Sequence, residues 1–378
     1  MALNFDIVVI GAGMAGASIA SALAQTKRVA LIEMEAAPGY HTTGRSAALY
    51  TELYGNSTVC EITSRGRAFF ENPPRGFLRP LLHRRGCLYS VRPDQMSAAD
   101  HLVANACQRE IELQTLSPDR MAELIPALRS DVLAFGLFEP QSMDIDVDGL
   151  HQGYLRCAKE RGVAFFVGKR PVIEQTGNSW LVTVGDEEIS CAVVVNAGGA
   201  WADSLAAECG ADPRRLIPHR RTVALVDPPV GRNPQDISGW PAVIDIDEKF
   251  YFKPESGKLL CSPADEHPSD PCDAVPEEID IAIAIDRMQG LLDFPVRRIE
   301  SSWAGLRTFT ADKTPVVGFD PQVEGFFWFA GQGGYGIQMA PALSDLGARM
   351  LLGDPLDEAD RRLARAVKPC RPALRAAA

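Results

Sequence analysis

No two of the nine cysteines (Cys60, Cys87, Cys107, Cys157, Cys191, Cys209, Cys261, Cys272 and Cys370) form a C-x-x-C pair, and none has a histidine at zinc-ligand spacing. This excludes a zinc ribbon or a disulfide framework, and the thiols are read as reduced in a cytoplasmic protein. Histidine is scarce at six residues (His41, His83, His101, His151, His219 and His267), with no H-E-x-x-H or comparable pairing, so no metal site is expected. Positive charge is in deficit: 38 lysines and arginines against 49 acids leave a net charge of −11. That field repels phosphate backbones and anionic lipid, so nucleic acid is not an expected partner. Nowhere do about 18 apolar residues run together, so no membrane span is expected. The apolar start is broken by Asp6, has no basic stretch before it and meets Gly11 too early for a secretory segment, so it reads as part of the fold.

What remains is an ordinary globular composition, 46% hydrophobic and 23% charged, in a chain of 378 residues long enough for two or three units or for one large fold with an insertion. Asp6 to Ile10 is a short β-rich run, Met14 to Ala24 is small and alanine-rich as a closely packed helix requires, and Val29 to Glu33 reads as the next strand. Between the first strand and the helix lies Gly11-Ala12-Gly13-Met14-Ala15-Gly16, a G-x-G-x-x-G loop. Gly11 makes the tight turn, Gly13 lets the backbone approach a pyrophosphate, Gly16 allows close packing, and the helix N-terminus favours the anion. Glu33 is placed to accept hydrogen bonds from ribose hydroxyls. Strand, glycines, helix, strand and acid in this order predict a dinucleotide site, which NAD and FAD share.

Farther on, the spacing predicts a helix over Ser57 to Glu71, ended by Pro73-Pro74-Arg75-Gly76, and another capped by Asp146, running to about Arg161 and stopped by Gly162. Val163 to Val167, Trp180 to Val184 and Cys191 to Asn196 read as a small antiparallel layer, with Thr176-Gly177-Asn178 as a turn. From Asp227 to Pro276, strand-like islands at Ala242 to Ile246, Phe250 to Lys253 and Lys258 to Cys261 suggest an antiparallel sheet with long loops. Phe326 to Ala330 reads as a buried strand and Ile337 to Leu352 as a helix, with a tail expected to fray from Arg361. The glycines between Gly331 and Gly336 stand at that helix's start, where backbone N–H groups stabilise negative charge.

Beyond Glu33, the segment Gly39-Tyr40-His41-Thr42-Thr43-Gly44-Arg45-Ser46-Ala47-Ala48 resembles the G-x-x-x-x-G-x-S-A segment of the D-amino-acid oxidase and glycine oxidase superfamily of flavoenzymes, which lies along the flavin. Further matches are Val193 to Trp201, Trp303-Ala304-Gly305-Leu306-Arg307 and Gly331-Gln332-Gly333-Gly334-Tyr335-Gly336, so the resemblance spans nearly the whole chain. Within the superfamily it is most similar to the bacterial D-arginine dehydrogenase type, through Gly39 to Ala48 and Phe250-Tyr251-Phe252-Lys253-Pro254. The resemblance implies an α/β fold: an FAD-binding, Rossmann-like, doubly wound domain (1–79, 140–212 and 305–378) and an antiparallel-sheet substrate domain (80–139 and 213–304). It implies FAD held by Gly11, Gly13, Ala15, Gly16, Glu33, Met34, Thr43, Gly44, Arg45, Ser46, Ala47, Ala48, Val172, Ala197, Gly198, Trp201, Gly305, Gly331, Gly333, Gly334, Tyr335, Gly336, Ile337 and Gln338. No cysteine lies between Trp303 and Thr314, near where covalently flavinylated relatives attach their cofactor, so the FAD is expected to be non-covalent.

For the substrate, the resemblance implies that Arg221 and Arg307 grip a carboxylate through their bidentate forks, with Tyr251 as a hydroxyl donor and the Gly334 carbonyl accepting from the amine. Tyr54, Thr51 and Gln338 fall on cavity-lining positions, and Ala242 and Ile244 on an apolar wall. Two positions depart from the arginine-preferring type. In His83-Arg84-Arg85-Gly86-Cys87-Leu88, Cys87 takes the place of the acid that would face a cationic side chain, and Leu49 stands in place of a histidine. A neutral or apolar D-amino acid is therefore expected, or an acidic one if Arg84 or Arg85 turns inward. The activity implied is hydride transfer from Cα to flavin N5, then hydrolysis of the imino acid to a 2-oxo acid and ammonia. The arginines suit a secondary amine (sarcosine- or proline-like) or a 2-hydroxy acid equally. A reading of another class is a non-catalytic binding protein on the same fold; the complete glycine loop, Glu33 and the second glycine cluster argue against it. The residues do not distinguish oxygen, a quinone or an electron-transfer protein as electron acceptor.

Overall fold

The computed structural model describes residues 2–228 and 237–375. Ile7–Ile10, buried at every position, sits inside a sheet whose described strands run Ala164–Val167, Val29–Glu33, Ile7–Ile10, Val193–Asn196, Phe326–Ala330 and Val316–Phe319. The first five are parallel and the last is antiparallel to its neighbour. Parallel strands covered on both faces must be apolar throughout, and Val29–Glu33 and Phe326–Ala330 are buried end to end. One face packs Ile19 and Leu23 of the helix Met14–Leu23 and Leu343 and Leu346 of the helix Gly336–Leu352. The other packs Trp180, Val182 and Ile189 of a four-stranded layer. At the carboxyl edge of this sheet, Ile10, Asn196 and Ala330 run directly into Gly11, Ala197-Gly198 and Gly331, which brings three distant glycine segments side by side.

The second sheet is larger. Its path runs His267–Pro268, Ile217–Val226, Lys258–Ser262, Tyr251–Glu255, Ala242–Asp245, Cys87–Val91, Phe135–Glu139 and Gln114–Leu116, with Ile299–Phe309 also paired to Ile217–Val226. The expected antiparallel sheet is in fact mixed, because Ala242–Asp245 runs parallel to Cys87–Val91.

Three expectations are corrected. Ala164–Val167 and Val193–Asn196 belong to the parallel sheet, and only Trp180 to Val184 of the three predicted runs lies in the antiparallel layer. A short apolar run does not identify its partner strand. The segment Cys191 to Asn196 is two strands, since Glu187–Cys191 ends in one sheet and Val193–Asn196 starts in another. The tail does not fray from Arg361: Glu358–Val367 is a helix whose N-cap Asp357 accepts from the Asp360 N–H at 2.7 Å, and residues 376–378 lie outside the described residues. The region Asp227 to Pro276 also falls partly outside them. The helix Glu278–Gln289 is an element that the sequence pattern does not single out.

Arg371 anchors that tail. Its guanidinium donates to both oxygens of Asp312 (2.7 and 2.8 Å) and to the carbonyls of Pro315 (2.9 Å) and Thr314 (2.6 Å). Burial works to raise the Asp312 carboxyl, but the hydrogen bonds from Arg371 and Thr310 outweigh it and hold Asp312 below the ordinary range. Arg371→Ala takes the main partner from a half-buried acid that keeps the Thr310 hydroxyl and the Thr314 N–H, and leaves the buried Pro315 carbonyl without its donor; it is expected to cost about 1 to 3 kcal/mol, read as an earlier midpoint in urea unfolding. Because the Asp312 shift is downward, the contribution is present in full above the ordinary carboxylate range and is lost as the pH falls below that range through the lowered value of Asp312.

Candidate active site

One cavity of about 350 Å³ runs from the Gly11 loop, along Thr43 to Leu49, to the strands carrying Arg221 and Arg307. Its first part is a backbone cradle. Gly11 has φ +98°, and a Cβ there would stand 2.5 Å from the Ala197 carbonyl oxygen; a Cβ on Gly16 would stand 1.7 Å from the Gly11 oxygen. Both positions are closed to side chains by backbone, which brings the loop and helix start close to any ligand. Glu33 holds this loop, its Oε2 accepting from Ala12 N at 2.8 Å and its Oε1 from Glu35 N at 3.0 Å. Thr43 Oγ1 accepts from Met14 N at 2.9 Å, and buried His151 stands with Nε2 2.9 Å from the Ala12 oxygen, its pKa lowered by burial.

The far part is built by the strand ladder. Arg221 pairs with Gly305, and His219 with Arg307, in the register of Ile217–Val226 against Ile299–Phe309. Opposed residues share a face and alternate residues return to it, so Arg221 and Arg307 lie diagonally on one face, beside a position with no side chain. Arg307 is 8% exposed. Its Nη1 stands 3.4 Å from the Tyr54 hydroxyl and its Nη2 3.0 Å from Glu266 Oε1, while its Nε is buried without a partner. Arg221 Nε donates to the Asp265 carbonyl at 2.9 Å, its guanidinium lies over the Tyr251 ring at 5.8 Å, and its Nη2 is 3.7 Å from the same Glu266 oxygen. Lys313 holds the other Glu266 oxygen at 3.1 Å. Burial works to raise Glu266, but Arg307 and Lys313 outweigh it and hold it ionised below its usual range. Glu248, which lines the cavity, is raised instead, by burial above all. Arg221, Arg307 and Lys313 thus face three carboxylates, Glu266, Glu248 and Asp265, whose Oδ1 stands 3.8 Å from Arg221 Nε.

Most of the predicted residues meet here. Arg221, Arg307, Tyr251, Tyr54, Gly334, Leu49, Thr51, Ala242, Ile244 and Gln338 line the cavity, as do Gly11, Gly13, Ala15, Glu33, Met34, Thr43, Arg45, Ser46, Ala47, Ala48, Ala197, Gly198, Trp201, Gly305, Gly331, Gly333, Gly336 and Ile337. Gly16 and Gly44 lie behind it, packed on the backbones of Gly11 and Gly39. Tyr335 is buried in a ring cluster, 4.8 Å from Tyr54 and 5.9 Å from Phe309. The Arg45 guanidinium bonds the Ala274 and Ala304 carbonyls and Asp273, and so ties down the 273–274 loop.

Three expectations fail on geometry. Val172 is 61% exposed on a strand of the small layer, and Arg170 and Pro171 line the cavity in its place. Cys87 is fully buried and does not reach the cavity; its neighbour across the ladder is an acid, Glu139, whose carboxylate accepts from the cavity-lining Thr51 hydroxyl at 2.7 Å. Arg85 is held by Asp144 at 2.6 Å and by the Ser238 and Trp240 carbonyls, and Arg84 is exposed, so neither turns inward. Sequence reasoning missed Glu139 and Glu248, because a cross-strand partner and a hairpin residue carry no motif. No metal site is expected from the sequence, yet Asp265, His267 and Asp280 bring ligand atoms within 4.8 Å of one another; Arg220 and Thr222 already engage the two acids.

A polar, elongated ligand fits these residues. Besides Arg307 Nε, the amide nitrogens of Gln332 and Gln338, both on the lining, are buried without partners, and such donors require an acceptor. With the glycine cradle at one end and orphaned donors at the other, the cavity suits a dinucleotide with a second ligand beside it. Known proteins point the same way. Residues 6–350 match the family described as FAD dependent oxidoreductase. The chain belongs to that family. Its cofactor is FAD, and its fold is that of known flavoproteins. It is similar to glycerol 3-phosphate dehydrogenase of Caloramator mitchellensis, 24% identical over 90% of this chain and 72% of that one. Its fold is similar to glycine oxidase from Geobacillus kaustophilus, with a TM-score of 0.81 and 20% identity, covering 94% of this chain and 96% of that one. It is equally similar to L-proline dehydrogenase from P. horikoshii, with a TM-score of 0.81 and 20% identity over 98% of each chain. Among the described residues no helix is long and apolar enough to cross a membrane.

Proposed function

We propose that this FAD-dependent oxidoreductase oxidises a D-amino acid to the imino acid, which water converts to a 2-oxo acid and ammonia. The observation that carries the reading is the diagonal pair Arg221 and Arg307, two largely buried guanidinium groups on one wall of the FAD cavity. FAD, when bound, supplies the acceptor for the hydride on Cα. The chain's own residues supply alignment. Arg307 and Arg221 bind the substrate carboxylate by charge-assisted hydrogen bonds, and Tyr251 and Tyr54, which line the same wall, add hydroxyl donors. The Gly334 carbonyl accepts one amine N–H and so orients the nitrogen, while the ammonium gives up its extra proton to water before the hydride leaves Cα. Fixing both groups on Cα turns its hydrogen to one side, which is worth several orders of magnitude in effective concentration. The rings of Tyr54, Tyr335 and Phe309 exclude water behind the site. On this reading the parallel sheet and its helices (1–79, 140–212 and 305–378) hold the cofactor, and the mixed sheet (80–139 and 213–304) holds the substrate.

Anaerobic mixing of the yellow protein with D- and L-amino-acid pools tests this. Bleaching of the flavin band by the D pool alone is expected. Bleaching only by secondary amines or 2-hydroxy acids replaces the substrate and leaves the arginine roles standing, and a colourless protein that refuses FAD overturns the enzyme reading altogether.

A further inference from the structure

His151 is a buried histidine to which the mechanism above assigns no part. It lies on the helix Val147–Glu160, is 4% exposed, and its Nε2 stands 2.9 Å from the Ala12 oxygen in the G-x-G-x-x-G loop. A carbonyl only accepts, so Nε2 carries the proton. Burial lowers the His151 pKa, which keeps the ring neutral at pH 7 and leaves this N–H as its single donor. An apolar side chain would fill the same space without the cost of burying an imidazole, so what the histidine adds is that N–H. The ring also lies against Gly39, where φ is +80° and a Cβ would stand 2.8 Å from His151 Cε1 and 3.1 Å from its Nδ1. One side chain thus meets both the glycine loop and the start of the Gly39 to Ala48 segment, whose Thr42 hydroxyl donates to the Leu306 carbonyl at 2.6 Å, next to Arg307.

Ala12 is fully buried, and both of its backbone polar groups are taken by side chains from other elements. Glu33 Oε2, on the strand Val29–Glu33, accepts its N–H at 2.8 Å, and His151 donates to its carbonyl. Two successive peptide planes are fixed in this way. In a trans peptide the C=O and the following N–H point in opposite directions, so an Ala12 oxygen drawn onto His151 turns the Gly13 N–H away from the helix Val147–Glu160. Gly13 lines the cavity, and its N–H has no acceptor among the described residues, whereas the next N–H, that of Met14, is taken by Thr43 Oγ1 at 2.9 Å. We infer that His151 is a positioning residue for FAD: by holding the Ala12 carbonyl it aims the Gly13 N–H at the pyrophosphate and sets the glycine loop in register with the Gly39 to Ala48 segment. The role rests on FAD alone and is the same for a D-amino acid, a secondary amine or a 2-hydroxy acid as substrate.

The test compares the full-length holoenzymes of the wild type, His151→Leu and His151→Gln. Leucine fills the space of the ring without a donor, and glutamine is long enough to offer an N–H in its place. On dilution, the rise of free-flavin fluorescence reports FAD dissociation. His151→Leu is expected to weaken FAD binding about tenfold, the size of one buried hydrogen bond lost, and His151→Gln to stay within about threefold of the wild type. ADP and adenosine, added as competitors that release FAD, locate the effect, because ADP carries the pyrophosphate and adenosine does not. In His151→Leu the affinity for ADP is expected to fall about tenfold and that for adenosine by less than about threefold; a histidine that served packing alone would weaken both alike. Unchanged FAD affinity in His151→Leu, an equal loss in His151→Gln, or an equal loss toward ADP and adenosine overturns the role and leaves the FAD-dependent enzyme intact. If His151→Leu does not fold, His151→Asn, polar but one methylene shorter than glutamine, is expected to show the same loss relative to His151→Gln, and wild-type affinity in it overturns the role.

Discussion

Arg307→Ala lowers kcat/KM for the carboxylate-bearing substrate by about a hundred- to a thousandfold, the equivalent of about 3 to 4 kcal/mol, with both a raised KM and a lowered kcat. The size follows from burial. Arg307 is 8% exposed, and its Nε has no partner within the protein, so the substrate carboxylate meets a donor that water does not reach. The loss also reaches kcat, because a carboxylate held by Arg221 alone pivots and the Cα hydrogen loses its direction. Arg307→Lys restores the charge without the fork and recovers only part of the activity. The Glu266 carboxylate keeps Lys313 at 3.1 Å when Arg307 is gone, so the loop remains paired and the flavin spectrum is expected to stay unchanged. Steady-state kinetics on a yellow, folded variant is the measurement, and unchanged constants remove Arg307 from the site.

Gly16→Val yields protein without bound flavin. A Cβ at residue 16 would stand 1.7 Å from the Gly11 oxygen and 2.8 Å from its carbon, and neither atom can turn away as a side chain would. Gly11 in turn sits at φ +98° against the Ala197 carbonyl. The clash therefore pushes the first turn of the helix Met14–Leu23 away from the Gly11 loop and spoils the approach of the backbone to the pyrophosphate. Overpacking usually costs about 1 to 3 kcal/mol; here backbone opposes backbone, and the upper end or more is expected. The visible spectrum of the purified variant reports flavin content, and far-ultraviolet dichroism shows whether the fold survives. A yellow Gly16→Val protein would dissociate this loop from FAD binding.

Both variants act on residues that are legible in the amino-acid sequence alone, and for a physical reason. Gly11, Gly13, Gly16 and Glu33 lie within one strand–turn–helix–strand unit, so their geometry follows from neighbours a few residues away in the chain. The caps behave likewise: Asp146 is readable as an N-cap because its Oδ1 reaches Gly149 N, three residues on, at 2.7 Å. Arg221 and Arg307 are assigned by motif resemblance, while the antiparallel register that sets them diagonally on one face is not. The two stretches Val163 to Val167 and Cys191 to Asn196 show the limit clearly. Each has the composition of a strand, yet which sheet it joins depends on an edge formed by residues far away in sequence.

Glu139 marks the same limit within the site. It stands directly across the ladder from Cys87 on another strand, and no spacing along the chain brings the two together. Glu266 reaches the arginines from the turn after Lys258–Ser262 and Glu248 lines the cavity from a hairpin, where nothing local marks them. By itself the sequence determined the nucleotide loop, the FAD-type segments, the caps and the arginine pair, all carried by short-range geometry or contiguous motifs. Only the tertiary structure decided which carboxylates surround that pair, which acid stands behind Thr51 and how the tail is anchored by Arg371, because those contacts join residues brought together by strand pairing and burial rather than by spacing along the chain.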